Sequence, residues 1–282
     1  MNYSITLGQY YPVDSVLHRL DPRTKLASVL LYLLSLFLCC NTTSYILAGV
    51  FLAVMIGISH VPLSYMVRGL KPVFLLMVFS CGFHLFLTEG KPLVQWTLPI
   101  GALTLQITGE GIRKALFLCI RLVLLVLGST LLTLTTTPKQ LTDGLERGLG
   151  FLNRLHIPIH ELAMMMSIAL RFIPILAEES NKIMKAQTAR GADFETGGLI
   201  QRAKAMLPIL VPLFVSAFRR AGELATAMDA RCYCGDENRT QMKPLRYHSR
   251  DYMAVLVLFI YMLGILALRT WGSLPVLGSL GF

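Results

Sequence analysis

Residues 178–191 read EESNKIMKAQTARG, and residues 219–232 read RRAGELATAMDARC. Each stretch closes a long, mostly apolar segment whose charged residues recur at helical spacing, which predicts two long helices with comparable ends. The two stretches finish in similar tripeptides, Ala189-Arg190-Gly191 and Ala230-Arg231-Cys232. Both tripeptides lie in the one large hydrophilic region of an otherwise apolar chain, so they are the first candidates for a functional site.

The composition is typical of a membrane protein. The chain has 282 residues, of which 54% are hydrophobic and only 15% are charged, and its mean hydropathy is +0.60. A soluble domain is about one quarter charged, and here the apolar residues are concentrated in runs. The net charge of +10 comes from basic residues beside these runs, as the positive-inside rule describes. No nucleic-acid-binding motif accompanies this charge, so no nucleic-acid partner is expected.

Five apolar runs are predicted to cross the bilayer. They cover approximately residues 26–40, 45–59, 73–87, 115–134 and 252–268. Lys and Arg are enriched before the first run, between the second and third, and above all in residues 138–250, which hold sixteen of the 26. The positive-inside rule therefore places the N-terminus and both arginine tripeptides in the cytoplasm and the C-terminus outside. Arg113 and Lys114 are the one exception to this pattern.

The spans divide the chain into three parts. These are a membrane region with four spans (1–137), a cytoplasmic coupling region (138–250), and a last span with an external tail (251–282). The coupling region is predicted to contain an amphipathic helix that begins at Pro138, a second helix over 159–189 and a third over 199–230. The two long helices are too charged for simple spans, so their apolar faces are expected to pack on each other or on another protein. The fold class is an all-α polytopic membrane protein in which the two long helices cross.

The external loop near residues 90–110 shows the alternation of a strand. Leu103, Leu105 and Ile107 alternate with polar residues, and the Pro99-Ile100-Gly101 segment is suited to a turn. This pattern predicts either a small external β-hairpin or a flap at the membrane interface, and the sequence does not decide between them.

The charges of the two long helices match when they are counted back from the arginines. The shared offsets are twelve and eleven residues for Glu178, Glu179, Arg219 and Arg220, and eight residues for Lys182 and Glu223. Each offset carries opposite signs on the two helices. If the helices cross with approximate two-fold symmetry, these residues form coupling pairs between the helices. The alternative is that Glu178–Lys182 and Arg219–Glu223 are i,i+4 pairs within one helix.

The residue types of the tripeptides suit a docking tip. A small Ala lets the helix end approach a groove closely, and the planar guanidinium of Arg engages carboxylates or carbonyls of a partner. A following Gly adopts the left-handed conformation that ends a helix, so Cys232 in the second copy puts that cap in doubt. The alternative is that each Arg only complements the helix dipole.

At these residues the sequence resembles a known family. The tripeptides resemble the two Ala-Arg-Gly motifs of the EcfT family, the transmembrane T subunits of energy-coupling factor transporters. The other matching segments are residues 18–26 (HRLDPRTKL), 189–194 (ARGADF) and 212–220 (PLFVSAFRR). Over nearly the whole chain the resemblance is greater to the shared-module subgroup, which serves several vitamin-binding subunits, than to the dedicated cobalt or nickel subgroup.

The resemblance implies a mechanism and a set of partners. Arg190 and Arg231 would dock into grooves of two ABC ATPase subunits, expected to be a heterodimer. The apolar helix faces would hold a membrane-embedded S subunit that binds a vitamin. Closure of the ATPases would move the coupling helices and release the vitamin inside. The protein would then be a multi-pass component of a bacterial cell membrane, without catalysis or cofactor of its own.

The remaining features are interpreted as structural. Asp21 is predicted to cap a helix that begins at Pro22. The cysteines do not predict a disulfide framework, since those in apolar runs (Cys39, Cys40, Cys81 and Cys119) are expected to act as small hydrophobic residues. The CxC of Cys232 and Cys234 lacks further ligands at suitable spacing, so no metal is expected.

Two rival functions remain. A stand-alone secondary transporter or channel requires ionisable groups at mid-membrane, and His84 and Arg121 are the candidates of that kind, with a structural role favoured for His84. A membrane-bound enzyme is disfavoured because the chain has neither a GxxxxGK[ST] phosphate loop nor a nucleophile–base arrangement.

Overall fold

The structure, a computed structural model, describes residues 10–39, 41–87, 92–97, 104–150, 158–192, 194, 198–233 and 245–271. These residues form nine helices and one two-stranded antiparallel sheet, which confirms the predicted all-α membrane fold with its small hairpin. They fall into two compact units. Unit 1 comprises the described residues of 138–244, and unit 2 comprises those of 9–137 and 245–282.

Unit 2 contains the helices α1 (Pro22–Leu38), α2 (Thr42–Ser59), α3 (Leu63–Arg68), α4 (Lys71–Leu87) and α5 (Gly109–Thr135), with the strands β1 (Pro92–Thr97) and β2 (Thr104–Thr108) before α5. Unit 1 contains α6 (Pro138–Gly148), α7 (Ile159–Ala189) and α8 (Leu199–Asp229). The last helix, α9 (Ser249–Trp271), returns to unit 2. Residues 245–250, which the sequence analysis grouped with the coupling region, belong to unit 2.

Five helices of the described residues are long and apolar enough to cross a membrane by length and composition. They are Thr42–Ser59, Gly109–Thr135, Ile159–Ala189, Lys204–Asp229 and Ser249–Thr270. Their number agrees with the prediction, but the set does not, since it includes most of unit 1's two long helices and omits the 17-residue α1 and α4. Length and composition alone therefore do not separate α7 and α8 from spans, although each has charged residues within its apolar stretch, such as Arg171 in α7 and Arg219 in α8.

The start of α1 follows from its sequence. Asp21 Oδ1 accepts a hydrogen bond from the Arg23 amide at 3.0 Å, and Pro22 occupies the first helical position. Proline suits this position because its missing N–H would have no partner there. The predicted cap at Asp21 is confirmed.

Asp251 joins the beginnings of α1 and α9. It is 2% exposed, and its Oδ1 accepts hydrogen bonds from the Asp21 amide at 2.8 Å and the Thr24 hydroxyl at 3.2 Å. Its Oδ2 accepts a third bond from the His248 amide at 2.8 Å, which caps α9. One buried carboxylate therefore serves two helix N-termini that lie 230 residues apart in sequence.

The segment before α1 is held by a second buried charge. Lys25 is 4% exposed, and its Nζ donates to the carbonyls of His18 and Thr135, both at 3.0 Å. His18 in turn contacts the Ser15 hydroxyl through Nδ1 and the Tyr11 carbonyl through Nε2. Burial, and then the Lys25 charge, lower the pKa of His18 below its ordinary value, so the neutral ring is favoured in this network.

The core of unit 2 lies between α1, α2, α5 and α9. Its buried side chains include Tyr32, Leu36, Tyr45, Leu52, Leu131, Tyr261 and Ile265. Gly128 of α5 lets α1 approach closely, since a Cβ there would lie 2.7 Å from Cε1 of Tyr32. Phe51 and Tyr261 stack with their ring centroids 4.2 Å apart. The outer faces of the helices remain apolar, as expected for a protein surrounded by lipid.

The hairpin precedes α5. β1 and β2 pair antiparallel, with Trp96 opposite Leu105 and Thr97 opposite Thr104. Among the two alternatives for the loop near 90–110, the backbone pairing favours the β-hairpin. The predicted turn at 99–101 lies outside the described residues.

A disulfide and a bound arginine in unit 2 were not predicted from the sequence. Cys81 of α4 and Cys119 of α5 are joined as a disulfide, so the expectation that both act only as small hydrophobic residues is wrong for this pair. Arg121 donates to the Tyr45 hydroxyl from Nε at 3.0 Å and from Nη2 at 2.6 Å. The guanidinium is thus engaged within the fold, which gives this arginine a structural role.

Candidate functional site

α7 ends at Ala189, and Arg190 is the C-cap residue that follows it. The Ala192 amide donates to the Gln187 carbonyl at 3.0 Å, and the Gly191 amide donates to the Thr188 carbonyl at 2.9 Å. Gly191 has φ +87°, a left-handed conformation that costs glycine little. This pair of bonds is the Schellman motif, which satisfies terminal carbonyls and stops the helix.

The end of α8 repeats the same hydrogen bonds. The Tyr233 amide donates to the Met228 carbonyl at 3.1 Å, and the Cys232 amide donates to the Asp229 carbonyl at 2.9 Å. Cys232 adopts a φ of 55°, so the left-handed cap forms although glycine is replaced. Arg231 therefore occupies the same place in its cap as the arginine of α7, and the doubt about the second copy is removed.

Both arginine side chains are available to a partner. Arg190 and Arg231 are exposed, as are the alanines before them, Ala189 and Ala230. Neither guanidinium makes a hydrogen bond or ion pair within the described residues. Their positive charge is favourable at the carboxyl end of a helix dipole. The dipole, however, gives the N–H groups of either guanidinium no hydrogen-bond acceptor. The two tips thus present ten N–H donors in all, about five per guanidinium.

The two long helices run antiparallel. Gln187, near the end of α7, donates from Nε2 to the carbonyl of Pro208, in the first half of α8, at 3.5 Å. Toward the other end, Ile168 and Phe172 of α7 line a groove with Leu224 and Met228 of α8. The arginine tips therefore lie at opposite ends of the helix pair.

The contact between Gln187 and Pro208 has a cause in the sequence. Pro212 has no amide hydrogen, so the carbonyl four residues earlier loses its helical partner. The side-chain amide of Gln187 donates a hydrogen bond to that free carbonyl oxygen. This contact was not predicted in the sequence analysis, although the i−4 spacing from Pro212 identifies the carbonyl of Pro208 as the one left free.

The structure brings together one of the predicted interhelical pairs. Arg220 Nη2 lies 3.1 Å from Glu179 Oε2, and the two side chains are 33% and 27% exposed. Each of these residues lies eleven positions before the arginine of its own tripeptide. At 1.5 Å per residue, the two tips are then roughly 30 Å apart. The ion pair marks the midpoint between them.

The other predicted pairs do not form between the helices. Arg219 Nε lies 4.0 Å from Glu223 Oε1 within α8, which is the alternative i,i+4 arrangement. Within the described part of the chain no ion pair joins Lys182 to Glu223, and none involves Glu178. For Lys182 and Glu223 the reason is the antiparallel direction of the two helices. In an antiparallel pair equal offsets meet only at the midpoint, so residues at offset eight lie on opposite sides of it.

Both long helices also leave apolar surface uncovered. The groove between them has a volume of about 320 Å³ and is lined by Leu176, Ala217, Ala221 and Ala225 in addition to the four residues already named. Phe214 and Phe218 of α8 are 63% and 65% exposed. An exposed apolar face of this kind indicates contact with lipid or with another protein.

The described residues offer no site for metal chemistry. They contain no group of three or more His, Cys, Asp and Glu side chains placed to hold a metal ion. Cys234, the second cysteine of the CxC, lies outside the described residues. The described features of unit 1 are surfaces for contact with other molecules. They are the exposed Arg190 and Arg231, the Glu179–Arg220 ion pair between them, and the apolar faces of α7 and α8.

Comparison with known proteins identifies close relatives. A family model described as CbiQ, cobalt transport protein, matches residues 14–242. The chain is 49% identical over 272 residues to the energy-coupling factor transporter transmembrane protein EcfT of Clostridium kluyveri, which covers 95% of this chain and 98% of the relative. It is 50% identical to the EcfT of Heliobacterium modesticaldum, with 88% and 91% covered, and 45% identical to that of Bacillus subtilis, with 91% and 95% covered.

Proposed function

Since the chain belongs to the CbiQ/EcfT family, the transmembrane components of energy-coupling factor transporters, we propose that it couples ATP hydrolysis by partner subunits to vitamin uptake. The proposed partners are two ABC ATPase subunits, which form a heterodimer, and a membrane-embedded S subunit that binds the vitamin. The chain itself contributes no catalytic group and no cofactor. It acts in the bacterial cell membrane with its N-terminus in the cytoplasm.

The observation that carries the proposal is the matched pair of helix ends. Arg190 and Arg231 have equivalent places in two Schellman caps, and neither is engaged within the described residues. A separation of roughly 30 Å on an antiparallel pair suits two separate sockets better than one. Two ATPase subunits, each receiving one tip, fit this geometry. Ala189, Gly191, Ala230 and Cys232 shape the tips so that they enter closely.

The ion pair at the midpoint supports the mechanical part of the proposal. Glu179 and Arg220 hold the helices together halfway between the tips. When the two ATPases close and the tips move, the helices turn about this contact instead of separating. The movement then reaches the apolar faces of α7 and α8, on which the S subunit rests. Glu178, Lys182, Arg219 and Glu223 have a lesser part in this coupling, since among the described residues they form no ion pair between the helices.

The vitamin-transporting subgroup is favoured over the cobalt subgroup. The matching family is described by cobalt transport, whereas the relatives that cover nearly the whole chain carry the general name of the energy-coupling factor component. A component shared among several S subunits needs adaptable contact surfaces. The exposed Met165 and Met166, each 53% exposed on α7, suit that role because methionine side chains adjust to different partners.

The double variant Arg190→Ala with Arg231→Ala tests the docking. In the complete transporter, each removed guanidinium is expected to weaken ATPase binding by roughly 30-fold, the effect of about 2 kcal/mol at an interface hot spot. Co-purification of the ATPases with the tagged chain measures this, together with vitamin uptake in proteoliposomes. Arg171→Ala is the matched control, because Arg171 is an exposed arginine of the same helix away from its end.

Two results would contradict the proposal. One is normal ATPase retention and uptake by the double variant. The other is vitamin transport by the isolated chain in liposomes, which would identify a stand-alone transporter instead.

A further inference from the structure

Unit 2 contains an apolar cavity that neither the fold nor the proposed function uses. It has a volume of about 300 Å³ and lies between α1, α2, α5 and α9, near the ends at which α1 and α9 begin. Representative lining residues are Val29, Met55, Leu132, Met253, Ala254 and Val257. The volume is at the lower limit of small-molecule sites, about 300 Å³. Its lining gives water few hydrogen-bond partners, so an apolar occupant is favoured.

The cavity lies beside the closest contacts between α2 and α9. There α2 and α9 touch: a Cβ on Gly264 would lie 3.3 Å from Leu47, and the rings of Phe51 and Tyr261 are stacked. One to two turns further along, the cavity separates the same two helices. Two lining residues there are exposed, Met253 at 67% and Ile58 at 40%. The space is therefore a cleft with exposed lining beside two helices that are long and apolar enough to cross a membrane.

The rim of the cleft carries one uncommitted positive charge. Among the described residues, two basic ones line it, Lys25 and Arg250. Lys25 is buried and its Nζ is bound to two carbonyls. Arg250 is exposed and makes no hydrogen bond or ion pair with the described residues. Its neighbour Asp251 does not neutralise it, because that carboxylate is directed to the α1 and α9 amides.

We propose that this cleft binds one anionic phospholipid, with an acyl chain in the apolar cleft and the headgroup phosphate on Arg250. A lipid matches each observation: the lining is apolar, part of it is exposed beside helices long enough to cross a membrane, and the cation stands at the end of the helices, where headgroups lie. Basic pockets between membrane helices are known binding places for anionic headgroups. The site does not involve the arginine tips, so it stands or fails independently of the proposed coupling function.

Filling the cleft tests the acyl-chain part. Native mass spectrometry of the complete chain, purified in mild detergent from bacterial membranes, is expected to detect one retained phospholipid. Ala254→Trp places an indole in the cavity and should abolish retention. Ala267→Trp is the matched control, because Ala267 is exposed on the same helix and is not part of the lining. Equal lipid retention by the two variants would overturn the proposal.

Removing the rim charge tests the headgroup part. Arg250→Gln is expected to weaken binding of added phosphatidylglycerol by roughly fivefold, the usual contribution of one cation near anionic lipid, and to leave binding of phosphatidylcholine unchanged. Arg246→Gln, an exposed arginine outside the lining, should change neither. Because both positions are exposed, the variants are expected to fold. Equal affinity of the wild-type chain for the two lipids would refute the anionic specificity.

A photo-reactive residue distinguishes lipid from protein as the occupant. Benzoylphenylalanine in place of Met253, in the complete transporter within its membrane, should form an adduct with phospholipid. An adduct with another protein subunit instead would show that the cleft is a protein interface and would overturn the proposal.

Discussion

At the scale of single residues, Cys232 shows that a hydrogen-bond pattern can impose a conformation that the residue type disfavours. A non-glycine residue in the left-handed region costs about 1–2 kcal/mol, yet Cys232 has φ 55° because the amides of Cys232 and Tyr233 complete the cap. At the end of α7 the equivalent residue is Gly191, and a Cβ there would meet nothing within 4 Å. A side chain at Gly191 would therefore meet no steric obstacle, and the caps differ in the intrinsic cost of the left-handed conformation.

Exchanging the two residue types should change the caps in opposite directions. Cys232→Gly is expected to stabilise the end of α8 by about 1 kcal/mol, since it removes the left-handed penalty. Hydrogen exchange of the Tyr233 amide should then slow by roughly fivefold, the factor that corresponds to this free energy. Gly191→Cys should accelerate exchange of the Ala192 amide to a similar extent. Exchange rates that do not respond to either substitution would show that the caps are not set by these residues.

At the scale of secondary-structure elements, the direction of α7 relative to α8 decides which charges meet. Glu179 and Arg220 lie at the midpoint and pair. The Nε of Arg220 is also buried without a partner among the described residues. The Glu179 carboxylate is therefore the group that balances the positive charge of Arg220. An ion pair that is about one-third exposed is worth less than a buried one, on the order of 1 kcal/mol or below.

A charge exchange tests the pairing. Glu179→Arg and Arg220→Glu should each lower the thermal stability of the purified chain, because each places like charges side by side. The double variant should recover about 1 kcal/mol relative to the sum of the two single effects. The control is the neighbouring exchange, Glu178→Arg with Arg219→Glu, whose effects should add without recovery. Additive damage in the first cycle would mean that Glu179 and Arg220 do not interact in solution.

At the scale of the whole molecule, the beginnings of α1 and α9 are in contact although they lie far apart in the sequence. The first and last helices of unit 2 begin at the same buried carboxylate of Asp251. Three donors converge on a group that is 2% exposed, so its removal leaves the buried amide of Asp21 without a partner. Such losses cost far more than removal of a solvated charge.

Asp251→Ala should therefore be among the most destabilising single substitutions in unit 2, at about 3 kcal/mol. The midpoint of thermal unfolding of the purified chain measures the effect. Asp14→Ala is the control, because the ion pair of Asp14 with Arg19 is exposed, with 86% of the Asp14 side chain accessible, and should contribute about 0.5 kcal/mol or less. Similar unfolding temperatures for the two variants would show that Asp251 does not join α1 and α9.

The sequence by itself determined the membrane class, the two long helices and the cap at Asp21, because these depend on composition, on local periodicity and on neighbours within one turn. Asp21 before Pro22 and the bounds of α7 at Ile159 and Ala189 are of this kind. Only the tertiary structure decided that Glu179 meets Arg220 while Lys182 and Glu223 stay apart, that Cys81 joins Cys119, and that Asp251 reaches α1. These contacts depend on the direction and facing of helices distant in sequence, which local spacing leaves open.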